Sequence, residues 1–286
     1  MKEYLKFRKS FTLIELLVVI AIIALLSSVI LVNLSGPRQK ARITRSLEFS
    51  QSVQHAIGNE AVGVWDFDEG SGTLVKDASG YANNGTLYNF VSPNGWTTST
   101  PYAVVGSGQG KYALSFDGAD DYIDYGNGSN LNMGLNDWTV AVWVKFGNKI
   151  TQQNFIAKGG GVGRWWLVYF SNSVSANFYN GAGYDYWTSN SRTVNDGMWH
   201  YIVWTVDRDA SQYIYLDGKL EVGPSSVSSA VSQNVTNSSS LVVGQLTNYF
   251  DGSIDEVRIY ATALTLGQIQ DLYLAGLEKH QQLTMD

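Results

Sequence analysis

WTVAVWVKF, residues 138–146, decides the architecture. Trp138, Val140, Val142 and Val144 alternate with Thr139, Ala141, Trp143 and Lys145. Period-two alternation puts one set on a buried face and the other on a partly covered face, which predicts a β-strand. Comparable runs lie on either side: AVGVWDF (61–67), YALSF (112–116), WWLVYF (165–170), WHYIVWTVDR (199–208) and SQYIYL (211–216). Clusters of Gly, Asn, Ser and Asp separate them. Asp217-Gly218, after one such run, is a strong hairpin signal. This spacing predicts an antiparallel β-sandwich from residue 61 onward. SSVSSAVSQNVTNSSS (225–240) reads as an exposed loop. Leu264 to Ala275 reads as a short helix with Thr265 as its N-cap, and residues 278–286 as a frayed tail. No repeat of fixed period is visible.

Composition agrees with that reading. The chain has 286 residues, 44% of them apolar and only 15% charged, with nine Trp and seventeen Tyr. Such a mix supports a folded, strand-rich protein and argues against disorder. There is no Cys, which excludes a disulfide, a thiolate metal site, a thiol nucleophile and a lipoprotein anchor. Residues 1–60 carry eight basic and four acidic groups, and residues 61–286 carry eleven basic and twenty-one acidic groups. No nucleic-acid partner is expected of so acidic a distal domain, because phosphate neutralisation needs Lys and Arg.

Ahead of the strands lies a different kind of segment. MKEYLKFRKS (1–10) is basic and polar, and FTLIELLVVIAIIALLSSVILVNL (11–34) is apolar except for Glu15 and a few small polar residues. The run is long enough to span a bilayer. An ionised carboxylate inside it is costly and is normally paired for a function. Gly36–Pro37 interrupts the helix pattern. Ile43, Leu47, Val53 and Ile57 then return to one helical face, and Gly58 is a plausible stop. A nearly continuous helix from Phe11 to Ile57 would be roughly 70 Å long at about 1.5 Å per residue, with only its first half in the membrane.

The segment Phe11, Thr12, Leu13, Ile14, Glu15 and the following LLVVIAIIALL resemble the class III signal of type IV pilins and pseudopilins. The resemblance implies cleavage between Ser10 and Phe11 by a prepilin peptidase, N-methylation of Phe11, and assembly with other pilin subunits through the N-terminal helix. Glu15 would then neutralise the new amino terminus of a neighbouring subunit, an attraction strengthened by low dielectric. Ser10 stands where the family usually has Gly, and Val32 where it often has Pro. Competing readings are a secretory signal peptide and an unprocessed single-pass anchor, with Glu15 snorkelling to headgroups. The long run, its internal acid and the lack of a small-x-small site weigh against the signal peptide.

The distal segments WDFDEGSGTLVKDASGYANNGTL (65–87), LSFDGADDYIDYG (114–126), YIYLDGKL (213–220) and GSIDEVRIYATALTLGQIQDLY (252–273) resemble the LamG-like jelly-roll family, related to concanavalin-type lectins. With WTVAVWVKF and WHYIVWTVD they span about residues 61–276 in family order. The organisation implied is a leader (1–10), a transmembrane and stalk helix (11–60), a jelly roll (61–277) and a tail (278–286). The resemblance implies a structural Ca²⁺, with Asp77, Asn84 and Asp255 as candidate ligands. The plainer alternative has Asp77 and Asn84 capping turns and Asp255 bonding backbone. DGADDYID lacks the ligand spacing of an EF-hand.

Trp165, Trp166, Tyr184, Tyr186 and Trp187 are candidates to stack on sugar rings, or else to fill the sandwich core. The three histidines, His55, His200 and His280, suggest no catalytic triad, and the resemblance implies a structural role for His200. Adjacent Asp255 and Glu256 should face opposite sides of a strand, unlike a glycosidase pair. No enzyme is expected. The expected function is a type IV pilin-like filament subunit, minor or at the tip, displaying a lectin-like head to a glycan or cell-surface protein. It would sit in the bacterial inner membrane before assembly and in an extracellular or periplasmic filament afterwards. Alternatives are a pseudopilin of a secretion or DNA-uptake machine and a tethered sugar-binding protein that never assembles.

Overall fold

The computed structural model describes residues 12–23, 48, 52–53, 56–91, 95–98, 112–170, 173–179, 185–189 and 192–280. The chain divides into two compact units, residues 1–48 and 49–286. In the first unit, residues 13–23 form helix α1, and all its side chains are exposed. Among the described residues no helix is long and apolar enough to cross a membrane.

The second unit is an antiparallel sandwich, as the alternation predicts. Its strands are β1 (Ala61–Trp65), β2 (Leu74–Val75), β3 (Gly85–Tyr88), β4 (Trp96–Thr97), β5 (Ala113–Asp117), β6 (Tyr122–Asp124), β7 (Trp138–Phe146) and β8 (Gln153–Lys158). They continue as β9 (Trp165–Phe170), β10 (Ser173–Tyr179), β11 (Asp185–Ser189), β12 (His200–Val206), β13 (Ser211–Leu216), β14 (Lys219–Ser226), β15 (Leu241–Val243) and β16 (Asp251–Tyr260). Helix α2 (Leu266–His280) follows. One sheet has the order β14-β13-β12-β7-β16-β5-β4, with β1 also on β16. The other has the order β11-β10-β9-β8-β15-β6-β3-β2.

Between the sheets lies one apolar core. Trp138, Val140, Val142 and Val144 enter it from β7, Trp165, Leu167 and Tyr169 from β9, and Ile202, Trp204 and Val206 from β12. Trp138 packs edge-on against Phe178 and Trp204, with centroids 5.1 and 5.6 Å apart. Each such pair is worth about 0.5–1.5 kcal/mol beyond its buried area. The alternate residues Ala141 and Trp143 face the other way, into a second cluster with Val53, Ile57, Tyr201, Val203, Tyr260, Ile269 and Leu272. The outer face of the first sheet is therefore covered by α2 and by the chain just before β1.

Two expectations need correction. Residues 225–240 are no free loop: β14 reaches Ser226, and Val227, Ala230 and Val235 are fully buried. The guanidinium of Arg208 holds this segment by donating to the carbonyls of Ala230 and Gln233. Second, α2 continues to His280, into the expected tail. Its start is as predicted. The N–H and Oγ1–H of Thr265 both donate to Gln268 Oε1 at 2.9 Å, a reciprocal cap that satisfies end groups of the helix.

Candidate functional site

The N-terminal acid is already engaged within its own chain. The N–H and Oγ1–H of Thr12 each donate to Glu15 Oε2 at 2.8 Å, and the Glu15 N–H returns to Thr12 Oγ1 at 3.3 Å. Thr-Leu-Ile-Glu is thus a capping box at the start of α1, the same device as Thr265 to Gln268 in α2. Ser10 and Phe11, the expected cleavage pair, lie outside the described residues.

Of the expected sugar-stacking rings, Trp165 is excluded. It points into the core with no exposed surface, beside Trp204 at 6.3 Å. Trp166, its neighbour in β9, is on the opposite face and half-buried. Tyr184 lies outside the described residues. Tyr186 and Trp187 belong to β11, where their backbones pair with Phe178 and Asn177. Sequence reasoning missed two partners of Trp166. The Arg164 guanidinium carbon lies 4.8 Å from the Trp166 ring centroid and 4.3 Å from that of Tyr179. Antiparallel pairing of β9 with β10 sets Trp166 opposite Asn177, and the Tyr179 N–H donates to Arg164 O at 2.9 Å. All three side chains are half-buried. A cation over two rings is attracted to both.

The expected Ca²⁺ ligands serve the backbone. Asp77 Oδ1 accepts the N–H groups of Val64 and Ser79 at 3.0 and 2.8 Å, and Oδ2 that of Asn83 at 2.9 Å. Asn84 Oδ1 accepts the Asp77 N–H at 2.9 Å. This pair therefore ties β1 to the loop that leads into β3. Asp255 is fully buried at a bulge in β16, its Oδ1 accepting the Glu256 N–H at 2.8 Å. Asp255 pairs with Trp143 and Arg258 with Ala141, so β16 holds one extra residue here. Simple alternation of Asp255 and Glu256 is thereby broken, and Glu256 turns with φ 47°. Glu256 is also buried, 3.4 Å from Arg258, which reaches Asp66 at 3.0 Å. Burial opposes the Arg258 charge, but the Glu256 and Asp66 carboxylates outweigh it and raise its pKa. These acids fix β1 against β16, a structural use for the first and last strands.

One acidic cluster remains among the described residues, Asp117, Asp120 and Asp121 in the β5–β6 turn. Nearby, Tyr88 and Tyr122 stack on the second sheet with centroids 4.9 Å apart.

With these sites placed, comparison with known proteins is decisive for the family. Residues 116–270, more than half of the sequence, match the concanavalin A-like lectin/glucanases superfamily. The chain belongs to that superfamily. Residues 5–31 match the prokaryotic N-terminal methylation motif. No curated protein matches the sequence.

Solved structures similar to this concanavalin A-like protein include the binding domain of Paraclostridial Mosquitocidal Protein 1, at TM-score 0.59 and 17% identity, covering 76% of this chain and 52% of that one. Another is the botulinum neurotoxin serotype D ligand binding domain in complex with N-acetylneuraminic acid, at TM-score 0.60 and 15% identity, covering 77% and 52%. A third is the binding domain of botulinum neurotoxin DC in complex with rat synaptotagmin II, at TM-score 0.56 and 14% identity, again covering 77% and 52%. The chain spans about half the length of these structures, and the likeness is one of fold.

His200 is a further titratable group of the concanavalin A-like head. Its Nδ1 lies 3.0 Å from Asp217 Oδ2 and its Nε2 3.1 Å from Asp196 Oδ1. Burial disfavours the imidazolium, yet the bonds and charges of Asp217 and Asp196 more than offset it and raise the His200 pKa. Neutral imidazole keeps only one donor, so one of the two contacts fails on deprotonation. The stabilisation is complete below the unfolded pKa of about 6.5 and is lost as pH rises through the raised folded value. The expected result is a thermal midpoint that falls as pH rises above about 6.5, and His200→Gln should flatten that slope. An unchanged slope in the variant would assign the pH dependence to other groups.

Proposed function

We propose that the protein is a type IV pilin-like subunit whose concanavalin A-like head binds carbohydrate bearing a carboxylate. The assembly half of this reading rests on the methylation motif at residues 5–31. The binding half rests on one observation, the Arg164 guanidinium packed over the rings of Trp166 and Tyr179 on the outer face of the second sheet. A planar guanidinium fits a carboxylate in a bidentate way. Half-buried rings beside it suit the apolar faces of sugars. In this reading no reaction is catalysed. The subunit is processed by the prepilin peptidase, anchored in the inner membrane and then displayed on a filament, minor or at the tip.

The test is a glycan array probed with the detergent-solubilised full chain. Binding should concentrate on acidic glycans, and Trp166→Ala and Arg164→Gln should each weaken it by at least about tenfold, equivalent to about 1.4 kcal/mol. Thermal melts of the same variants separate binding from folding. Absence of acidic-glycan binding by the folded wild type, or equal binding by folded variants, would refute the assignment.

A further inference from the structure

In the second sheet β15 runs between β6 and β8. Lys158, the last residue of β8, pairs with Leu241 of β15, and Asn127 lies just beyond the end of β6. Lys158 is fully buried and shares the core-facing register of Leu241 and Trp165. Its Nζ donates to Asn127 Oδ1 at 2.6 Å and to Ser239 O at 2.7 Å. Both acceptors are uncharged. Among the described residues no carboxylate forms an ion pair with Lys158.

A buried ammonium without a counter-charge is costly. Burial pulls the Lys158 pKa down to about 8, so roughly a tenth of the amine is neutral at pH 7. A neutral lysine amine is a nucleophile. An electrophilic carbon stands beside it. A C=O bond is about 1.2 Å long, so Nζ lies no more than about 3.8 Å from Asn127 Cγ, close to the ~3–3.5 Å of atoms poised to react. Asn132 Nδ2 donates to the same Asn127 Oδ1 at 3.1 Å. Asn132 Oδ1 in turn accepts the Asn237 N–H at 3.1 Å, which fixes which end of the Asn132 amide faces Asn127. A donor held there stabilises an oxyanion forming on Oδ1.

We propose that the Lys158 amine condenses with the side-chain amide of Asn127 to form an intramolecular isopeptide bond. The lone pair of neutral Nζ attacks Asn127 Cγ, and the carbonyl electrons move onto Oδ1. One amine proton passes to Nδ2, the Cγ–Nδ2 bond breaks, and ammonia leaves as the carbonyl re-forms. Nζ keeps one hydrogen as an amide N–H, with Ser239 O placed to accept it. No oxidant, reductant or cofactor is consumed. Asn127 is exposed, which gives the ammonia a way out. The product removes the buried charge and ties β6 to β8 across β15, two strands that share no backbone hydrogen bonds. Such a link constrains the unfolded chain as a disulfide does, in a protein that has no Cys. It does not depend on the Trp166 surface.

Mass spectrometry of the full chain, purified in detergent, tests this. A protease digest of the folded wild type should contain one branched peptide carrying both Lys158 and Asn127. It should be lighter than its two parts together by about 17 Da, the mass of one ammonia. Lys158→Met and Asn127→Ala should each abolish the branched peptide, and thermal melts verify that both variants fold. The wild-type digest decides the matter even if a variant does not fold. Separate peptides of full mass from the folded wild type would overturn the proposal. So would a branched peptide that survives Asn127→Ala, or a gain of about 1 Da at Asn127 without branching, which marks hydrolysis of the amide to Asp.

Discussion

Arg208→Ala is expected to destabilise the head by about 3 kcal/mol. Arg208 is 2% exposed. Its guanidinium donates to the carbonyls of Ala230, Gln233 and Gly134, and stacks near Trp138 and Phe178 at 5.6 and 5.5 Å. Alanine would remove the donor from Gln233 O, leave Ala230 O and Gly134 O with only the N–H groups of Gln233 and Val235, and open a cavity beside two core rings. Loss of a charged donor costs about 1.5–3 kcal/mol, and the cavity adds to it. Removing the buried charge recovers some desolvation energy, which keeps the estimate near the lower end. Arg208→Lys keeps the charge but not the fork, so it should fall between wild type and alanine. Urea midpoints at constant m-value measure this. A shift below about 1 kcal/mol for alanine would show that buried Val227, Ala230 and Val235 hold the segment alone.

Assembly is where the second large effect should appear. Glu15→Ala removes both the capping box of α1 and the charge, whereas Glu15→Gln keeps an acceptor for the Thr12 groups. If the charge pairs with the amino terminus that processing creates at Phe11, both variants should lose filaments almost completely. If the cap alone matters, the Gln variant should assemble as wild type does. Yield of sheared filaments separates the two, and the N-terminal mass confirms processing in each variant. Normal filaments from Glu15→Gln would sink the charge-pairing role.

Local pattern made much of the fold legible. The alternation in β7 was sufficient because every second residue from Trp138 to Val144 enters the same core. Asp217-Gly218 made the β13–β14 hairpin readable, since both residues take positive φ, 53° and 72°. Local pattern failed where contacts join distant segments. Arg164 and Tyr179 meet only because β9 turns back along β10, and neither position is marked by its neighbours. Residues 225–240 looked featureless because their apolar pegs are scattered among serines, and the arginine that holds them is more than twenty residues upstream. The bulge at Asp255 was invisible because an inserted residue leaves no compositional trace.

Val53, Ile57 and the buried side of α2 share one cluster on the outer face of the first sheet. The head therefore begins and ends on the same face. A module with neighbouring ends is transplantable: it can be spliced into a surface loop of a foreign scaffold through two short linkers. The opposite sheet, which bears Trp166, is left clear of both junctions. Loops on that side are open to diversification while the mounting stays unchanged.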